Sequence, residues 1–171
     1  MTMVLFETAI GTCGVGWSEA GITEVVMPRT HGLRGQRLEA SADVPDSIRA
    51  AIARMVALLD GERQDLGDVA LDERHLDAFR RRVYAATRQI AAGSTASYGE
   101  VAAAIGEPRA AREVGVALAQ NPFPIIVPCH RVLSAGGALH GFSAPGGIAT
   151  KRRMLEIERA PGFMQQALFA S

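Results

Sequence analysis

Cysteine is scarce in this chain of 171 residues, which holds two, Cys13 and Cys129, and no C-x-x-C. With His31, His75, His130 and His140 scattered along the sequence, no ligand set has the spacing of a tetrahedral zinc site. The two thiols could pair in principle, but a reducing compartment argues against a structural disulfide. Long apolar runs are also missing: none approaches the roughly 20 residues that cross a bilayer. The stretch Met1 to Glu7 has no basic region leading into a long apolar core, so no secretory signal is read and a cytoplasmic protein is expected. Net charge is absent too, at +0, which at first sight disfavours a nucleic-acid partner.

The charge is unevenly spread. Residues 1–75 hold 7 Arg against 12 acidic groups, whereas residues 76–171 hold 10 Arg and 1 Lys against 6. The second half is therefore the place for phosphate contacts, with a modest excess that suits moderate non-specific binding. A hydrophobic fraction of 48% and a charged fraction of 21% are ordinary for a folded protein. The length fits one domain or two small ones sharing a core, and the expected division is 1–75 and 76–171.

In the first half, Leu5–Ile10, Gly14–Ser18 and Gly21–Pro28 read as a three-stranded meander, separated by turn signals at Gly11 and Gly21. Arg29–Ala42 reads as a loop. Ile48, Ile52, Met55, Val56 and Leu59 have helical spacing between Pro45-Asp46-Ser47 and Gly61. Val69–Leu71 is a candidate edge strand. Trp17 and Cys13 read as packing, and this half is expected to support the other.

In the second half, Leu76–Ile90 reads as a helix whose Arg80, Arg81, Arg82 and Arg88 suit a solvated face. Ser97 can N-cap a helix over Tyr98–Ile105. Gly106-Glu107-Pro108 is a turn, with Pro108 placed in the first turn of a helix over Arg109–Ala119. That helix is lined by Ala110, Ala111, Gly115, Ala117 and Ala119. An interior Gly costs about 1 kcal/mol relative to Ala. Two readings fit such tolerance: close approach of a large partner, or tight packing between helices.

The run Pro124-Ile125-Ile126-Val127-Pro128-Cys129-His130-Arg131-Val132 sets a thiol beside an imidazole. A free thiol with a pKa near 8.5 is mostly protonated at neutral pH, and a neighbouring His can take its proton. Pro128 stiffens the corner on which Cys129 stands. The dipeptide alone favours a structural thiol, since Cys is among the commonest buried small residues.

Four motifs decide between these readings. Tyr98-Gly99-Glu100-Val101-Ala102, Arg109-Ala110-Ala111-Arg112-Glu113-Val114-Gly115, Asn121-Pro122-x-Pro124 and Pro128-Cys129-His130-Arg131-Val132 resemble the O6-alkylguanine-DNA alkyltransferase family in order and spacing. The resemblance is close over residues 79–158 and loose before them. It implies an α+β fold: a small ribonuclease H-like sheet with a helix, then a mostly helical, winged helix-turn-helix-like unit. It implies Cys129 as alkyl acceptor, His130 as its base through a water, and Glu158 as the carboxylate behind the imidazole. Asn121 would tie the recognition helix to the active-site loop. Tyr98 would promote rotation of the nucleotide and protonate the leaving guanine. Arg112 would fill the vacated stack, beside Arg109, Ala110, Ala111 and Gly115 in the minor groove. Pro124, Val132, Phe142 and Ser143 would line the base pocket. The implied partner is double-stranded DNA carrying O6-alkylguanine, with O4-alkylthymine a further substrate. The protein would be a monomer with neither cofactor nor metal.

Two departures from the family pattern stand out. Phe142 occupies a position usually held by Tyr, and about two additional residues lie around Ala144–Gly147. Rival readings are a non-catalytic lesion sensor, which would carry Trp in place of Cys129, and a Cys-His hydrolase, which would assemble its pair from distant segments.

Overall fold

The computed structural model describes residues 3–41, 43–139 and 146–163. Strands β1 (Val4–Thr8), β2 (Gly11–Ser18) and β3 (Gly21–Val26) form the expected antiparallel meander. A fourth strand, β4 (Gln36–Arg37), adds in parallel beside β1, giving the order β3-β2-β1-β4. It lies within the stretch expected to be a loop. Two exposed polar residues carry no alternation, so only the open edge of β1 defines them as a strand.

Gly21 has φ +136°, and a Cβ there would lie 2.5 Å from the Ala70 carbonyl oxygen. The close approach belongs to Val69–Leu71, whose pairing is a single bridge from Leu71 to Ile22 rather than a full strand. Ile22 N–H donates to the Ala70 carbonyl at 2.9 Å, and Asp72 N–H to that of Ile22 at 2.7 Å.

Helix α1 (Asp46–Leu59) buries Ile48, Ala51, Ile52, Met55, Leu58 and Leu59 against Val4, Phe6, Cys13 and Val15 of the sheet. Full burial of each large apolar side chain contributes roughly 1.5–3 kcal/mol, so this face fixes the helix on the sheet. Helix α2 (Ala78–Thr87) is shorter than the expected Leu76–Ile90 because Asp77 caps it, accepting from Arg80 N–H at 2.8 Å. Its arginines are not simply solvated. Arg82 reaches Glu107 and the Ile105 carbonyl, and Arg88 donates to the carbonyls of Leu66 and Val69.

Helix α3 (Tyr98–Ala104) starts with a reciprocal capping box between Ser97 and Glu100. Helix α4 (Ala111–Ala119) has Ala110 as its N-cap. Pro108 and Arg109 therefore precede the helix rather than opening it: the turn from Glu107 closes first, by a 2.9 Å bond from Ala110 N–H to the Glu107 carbonyl. Two-residue strands β5 (Ala96–Ser97) and β6 (Val132–Leu133) pair in parallel, and α5 (Gly147–Ile157) closes the described chain.

The fold is α+β, with a small N-terminal sheet and a helical C-terminal part. Its largest apolar cluster draws on both, from Val4, Val15 and Met55 to Tyr84, Val114, Phe123, Val127 and Met154. Trp17 packs against that cluster while partly buried. Among the described residues, no helix is long and apolar enough to cross a membrane.

Candidate active site

The segment after α4 is shaped by Asn121. Its Oδ1 accepts from Phe123 N–H at 2.9 Å, a local turn typical of Asn, and its Nδ2 donates to the Val127 carbonyl at 2.9 Å. Val25 N–H on β3 donates to the Pro122 carbonyl at 2.9 Å, so the sheet braces the same turn. Ile125 is held at φ 76° although it is β-branched and 1% exposed. Such a conformation costs of order 1–3 kcal/mol and persists only where the surroundings impose it. At Pro128, φ −79° and ψ 66° with a 2.7 Å bond from Cys129 N–H to the Val127 carbonyl describe an inverse γ-turn. The stiff corner read from Pro128 is this turn, and Cys129–Arg131 follow as one 3₁₀ turn.

Cys129 is partly buried. Burial holds its thiol above the ordinary range, opposed in part by the Asn121 amide, the Lys151 ammonium and the backbone N–H groups of Cys129 and His130.

Beside it His130 is fully buried, with Nε2 3.0 Å from Glu158 Oε2. Burial pushes the imidazole down, Glu158 pushes it up, and Arg131 and Lys151 push it down again. A neutral imidazole is the outcome, and a neutral ring can accept a proton. Its buried Nδ1 has no hydrogen-bond partner among the described residues. Glu158 sits at the C-cap of α5 and is gripped by Arg131, Nε to Oε1 at 2.9 Å and Nη2 to Oε2 at 2.8 Å. Burial alone would raise its carboxyl, but His130 and Arg131 together hold it down at about 2.

The end of α5 sets that position. Ala160 N–H bonds the Leu155 carbonyl and Arg159 N–H that of Glu156, each at 3.0 Å, with Arg159 at φ 55°. This is a Schellman stop that places Glu158 inward. Glu156 takes no part in the cluster.

Lys151, 1% exposed, donates to the Val132 carbonyl at 2.8 Å and lies 5.9 Å from the centre of the Tyr98 ring. Tyr98 opens α3 and is partly buried. Cys129, His130, Glu158, Asn121 and Tyr98 thus gather around one corner. Pro124 and Val132 are buried in its walls. Arg112 and Arg109 are exposed away from this cluster, with Ala110, Ala111 and Gly115 partly buried beside them and Val116 54% exposed. A Cβ on Gly115 would lie 3.8 Å from the Tyr98 ring, an ordinary contact, so packing inside the protein does not require glycine there. Phe142 and Ser143 lie outside the described residues.

Three contributors carried no role in the sequence reading. Arg131 grips Glu158, Lys151 holds Val132 and faces Cys129, and the buried Tyr84 donates its hydroxyl to the Ala117 carbonyl at 2.6 Å, bracing the last turn of α4. The available signals were thin: an Arg directly after Cys129-His130, and the chain's single Lys.

A thiol on a rigid turn stands beside a neutral imidazole and an ionised carboxylate, the groups a cysteine nucleophile needs. The family described as 6-O-methylguanine DNA methyltransferase, DNA binding domain, matches residues 78–160. A methylated-DNA–protein-cysteine methyltransferase of Mycobacterium tuberculosis is 45% identical over 125 residues, 73% of each chain. One from Methanosarcina acetivorans is 34% identical over 165 residues, covering 92% of this chain and 98% of the relative. The crystal structure of Mycobacterium tuberculosis OGT in complex with DNA superposes with a TM-score of 0.75 at 36% identity, over 96% of this chain and 98% of that one. The chain belongs to the methylated-DNA–protein-cysteine methyltransferase family.

Proposed function

We propose that this protein repairs alkylated DNA by direct reversal, moving the alkyl group from O6 of guanine to Cys129, once per molecule. The observation that carries the reading is a thiol set on the Pro128 turn directly before a buried His130, whose Nε2 lies 3.0 Å from Glu158 and whose Nδ1 is left open among the described residues. The relatives' names and the DNA-bound neighbour support it.

Residues 76–171 form the DNA-binding and reacting unit, and residues 1–75 support it. Helix α4 enters the minor groove as the second helix of a helix-turn-helix. The room at Gly115 favours close approach by a partner over helix packing as the reason for that glycine, whereas Ala117 is packed in the core. The lesion is flipped out of the stack, Arg112 fills the gap with its planar guanidinium, and Arg109, Ala110 and Ala111 follow the backbone. Pro124, Val132, Phe142 and Ser143 receive the base.

The Cys129 proton then passes to His130, through a water. The sulfur attacks the alkyl carbon, an S–C bond forms, and the C–O6 bond breaks with its electron pair leaving on guanine. Tyr98 donates its proton to the departing base and recovers one from the His130 imidazolium, so the thiol proton ends on guanine. Glu158 stabilises that imidazolium, as the carboxylate does in other triads. The thioether has no route back. O4-alkylthymine is a second substrate, and the protein acts as a cytoplasmic monomer.

Counting lesions lost from a duplex carrying O6-methylguanine against moles of protein tests the reading. Product should plateau at one equivalent. Binding with no lesion loss would mean a sensor, and continued turnover would mean another chemistry.

A further inference from the structure

Arg131 makes three directional bonds within the site. Its Nε and Nη2 take the two oxygens of Glu158, and Nη1 donates to the Ile90 carbonyl at 2.6 Å. Glu158 Oε2 is shared: it faces Arg131 Nη2 at 2.8 Å and His130 Nε2 at 3.0 Å. All three side chains are almost wholly buried.

We propose that Arg131 is a positioning residue for alkyl transfer: by gripping both oxygens of Glu158 it forces His130 to donate from Nε2 and keeps the Nδ1 lone pair for the thiol proton. The inference rests on the reading of Cys129 as alkyl acceptor. A buried carboxylate with an imidazole as its one partner can take the proton itself, which leaves the tautomer undecided. A bidentate guanidinium removes that freedom, because it stabilises only the ionised carboxylate. The same cation offsets part of the Glu158 charge, so the imidazole is not locked in its protonated form before it has a proton to accept. The charged groups that act on His130 are Glu158 and Lys151 from α5, with Arg131 from its own turn.

Arg131 also lines a cavity of about 580 Å³ together with Arg63, Arg88, Ile90 and Ile125. Shortening Arg131 would open Glu158 to that cavity, and a small planar cation could take the missing place.

The test is the rate of transfer from free O6-benzylguanine, which needs no flipped nucleotide, measured against pH. In Arg131→Ala the rate at neutral pH should fall at least about tenfold, the direction expected when the base loses its orienting partner. The acid limb should move to higher pH, since Glu158 then acts on His130 uncompensated. Millimolar methylguanidinium should restore much of the rate. Arg131→Lys, a point charge without the fork, should fall between the two. If Arg131→Ala does not fold, the displaced acid limb in Arg131→Lys carries the test. A folded variant with the parent's rate and acid limb overturns the proposal. So does a slow variant whose acid limb is unmoved and which methylguanidinium does not accelerate, because that is the behaviour of a structural prop. A parent protein that takes no alkyl group counts instead against the reading of Cys129.

Discussion

The two cysteines of this chain stand in opposite surroundings. Cys13 is fully buried in β2 among Val4, Phe6 and Val15, and burial pushes its thiol up to about 11. The Thr8 hydroxyl lies 3.9 Å from its sulfur and opposes burial only weakly. Cys129 is also pushed up by burial, but it stands on an inverse γ-turn where Asn121, Lys151 and two backbone N–H groups pull the other way. Burial wins at both sulfurs, and both thiols stay above their ordinary range. At Cys129 alone an amide, an ammonium and two backbone N–H groups oppose it, and a buried neutral imidazole stands next in sequence to take the proton.

The largest way to sharpen the contrast is to exchange each sulfur. Cys129→Ser should abolish alkyl transfer while DNA binding persists, because a hydroxyl is far harder to ionise and α4 is untouched. Cys13→Ala should leave the transfer rate unchanged and cost stability by about 1 kcal/mol, readable as a lower denaturation midpoint. Arg112→Ala comes next. Repair within a duplex should drop by about tenfold or more, while reaction with free O6-benzylguanine holds, since only the duplex requires a base to be extruded. Equal losses on both substrates would remove Arg112 from that role.

Removing the donor that distinguishes Cys129 from Cys13 should have a smaller effect. Asn121→Ala deletes the tie to Val127 and an amide that favours the thiolate, so its rate–pH profile should move to higher pH as the thiol becomes harder to ionise. An unmoved profile would make the backbone N–H groups and Lys151 sufficient.

Acid should weaken the site in a defined order. His130 is held below its ordinary 6.5, so the unfolded chain binds the extra proton first and stability falls as pH drops below about 6.5. Glu158, depressed from 4.5 to about 2, contributes stability that is present above 4.5 and lost as pH falls towards 2. Thermal midpoints between pH 8 and 3 check this, and His130→Gln should remove the first step. The smallest effect concerns Arg159, left-handed at φ 55° in the stop that positions Glu158. Arg159→Gly should raise stability by about 0.5–1 kcal/mol without changing the transfer rate.

The same contrast explains what a reader of the sequence can and cannot find. The meander and α1 are legible because alternation and helical spacing record a buried face. The corner at Pro128 and the cap at Ser97 are legible because Pro and a Ser-x-x-Glu box act locally. Strands β4, β5 and β6 have two residues each and no periodicity, so only their neighbours define them. The start of α4 is misplaced because Pro108 suits a first turn, yet the turn bond from Ala110 to Glu107 delays the helix. Cys129, His130 and Asn121 announce themselves by motif. Arg131 and Lys151 do not, since an arginine or lysine in sequence reads as surface, and only the fold reveals that both cations are buried against the site.

The claim that surroundings rather than sulfur make Cys129 the acceptor is met most directly by peptide mass mapping after reaction with a duplex carrying O6-methylguanine. One methyl group per protein, in place of the thiol hydrogen and confined to the peptide containing Cys129, is the expected result. Methyl on Cys13, or none on Cys129 while lesions disappear, would contradict it.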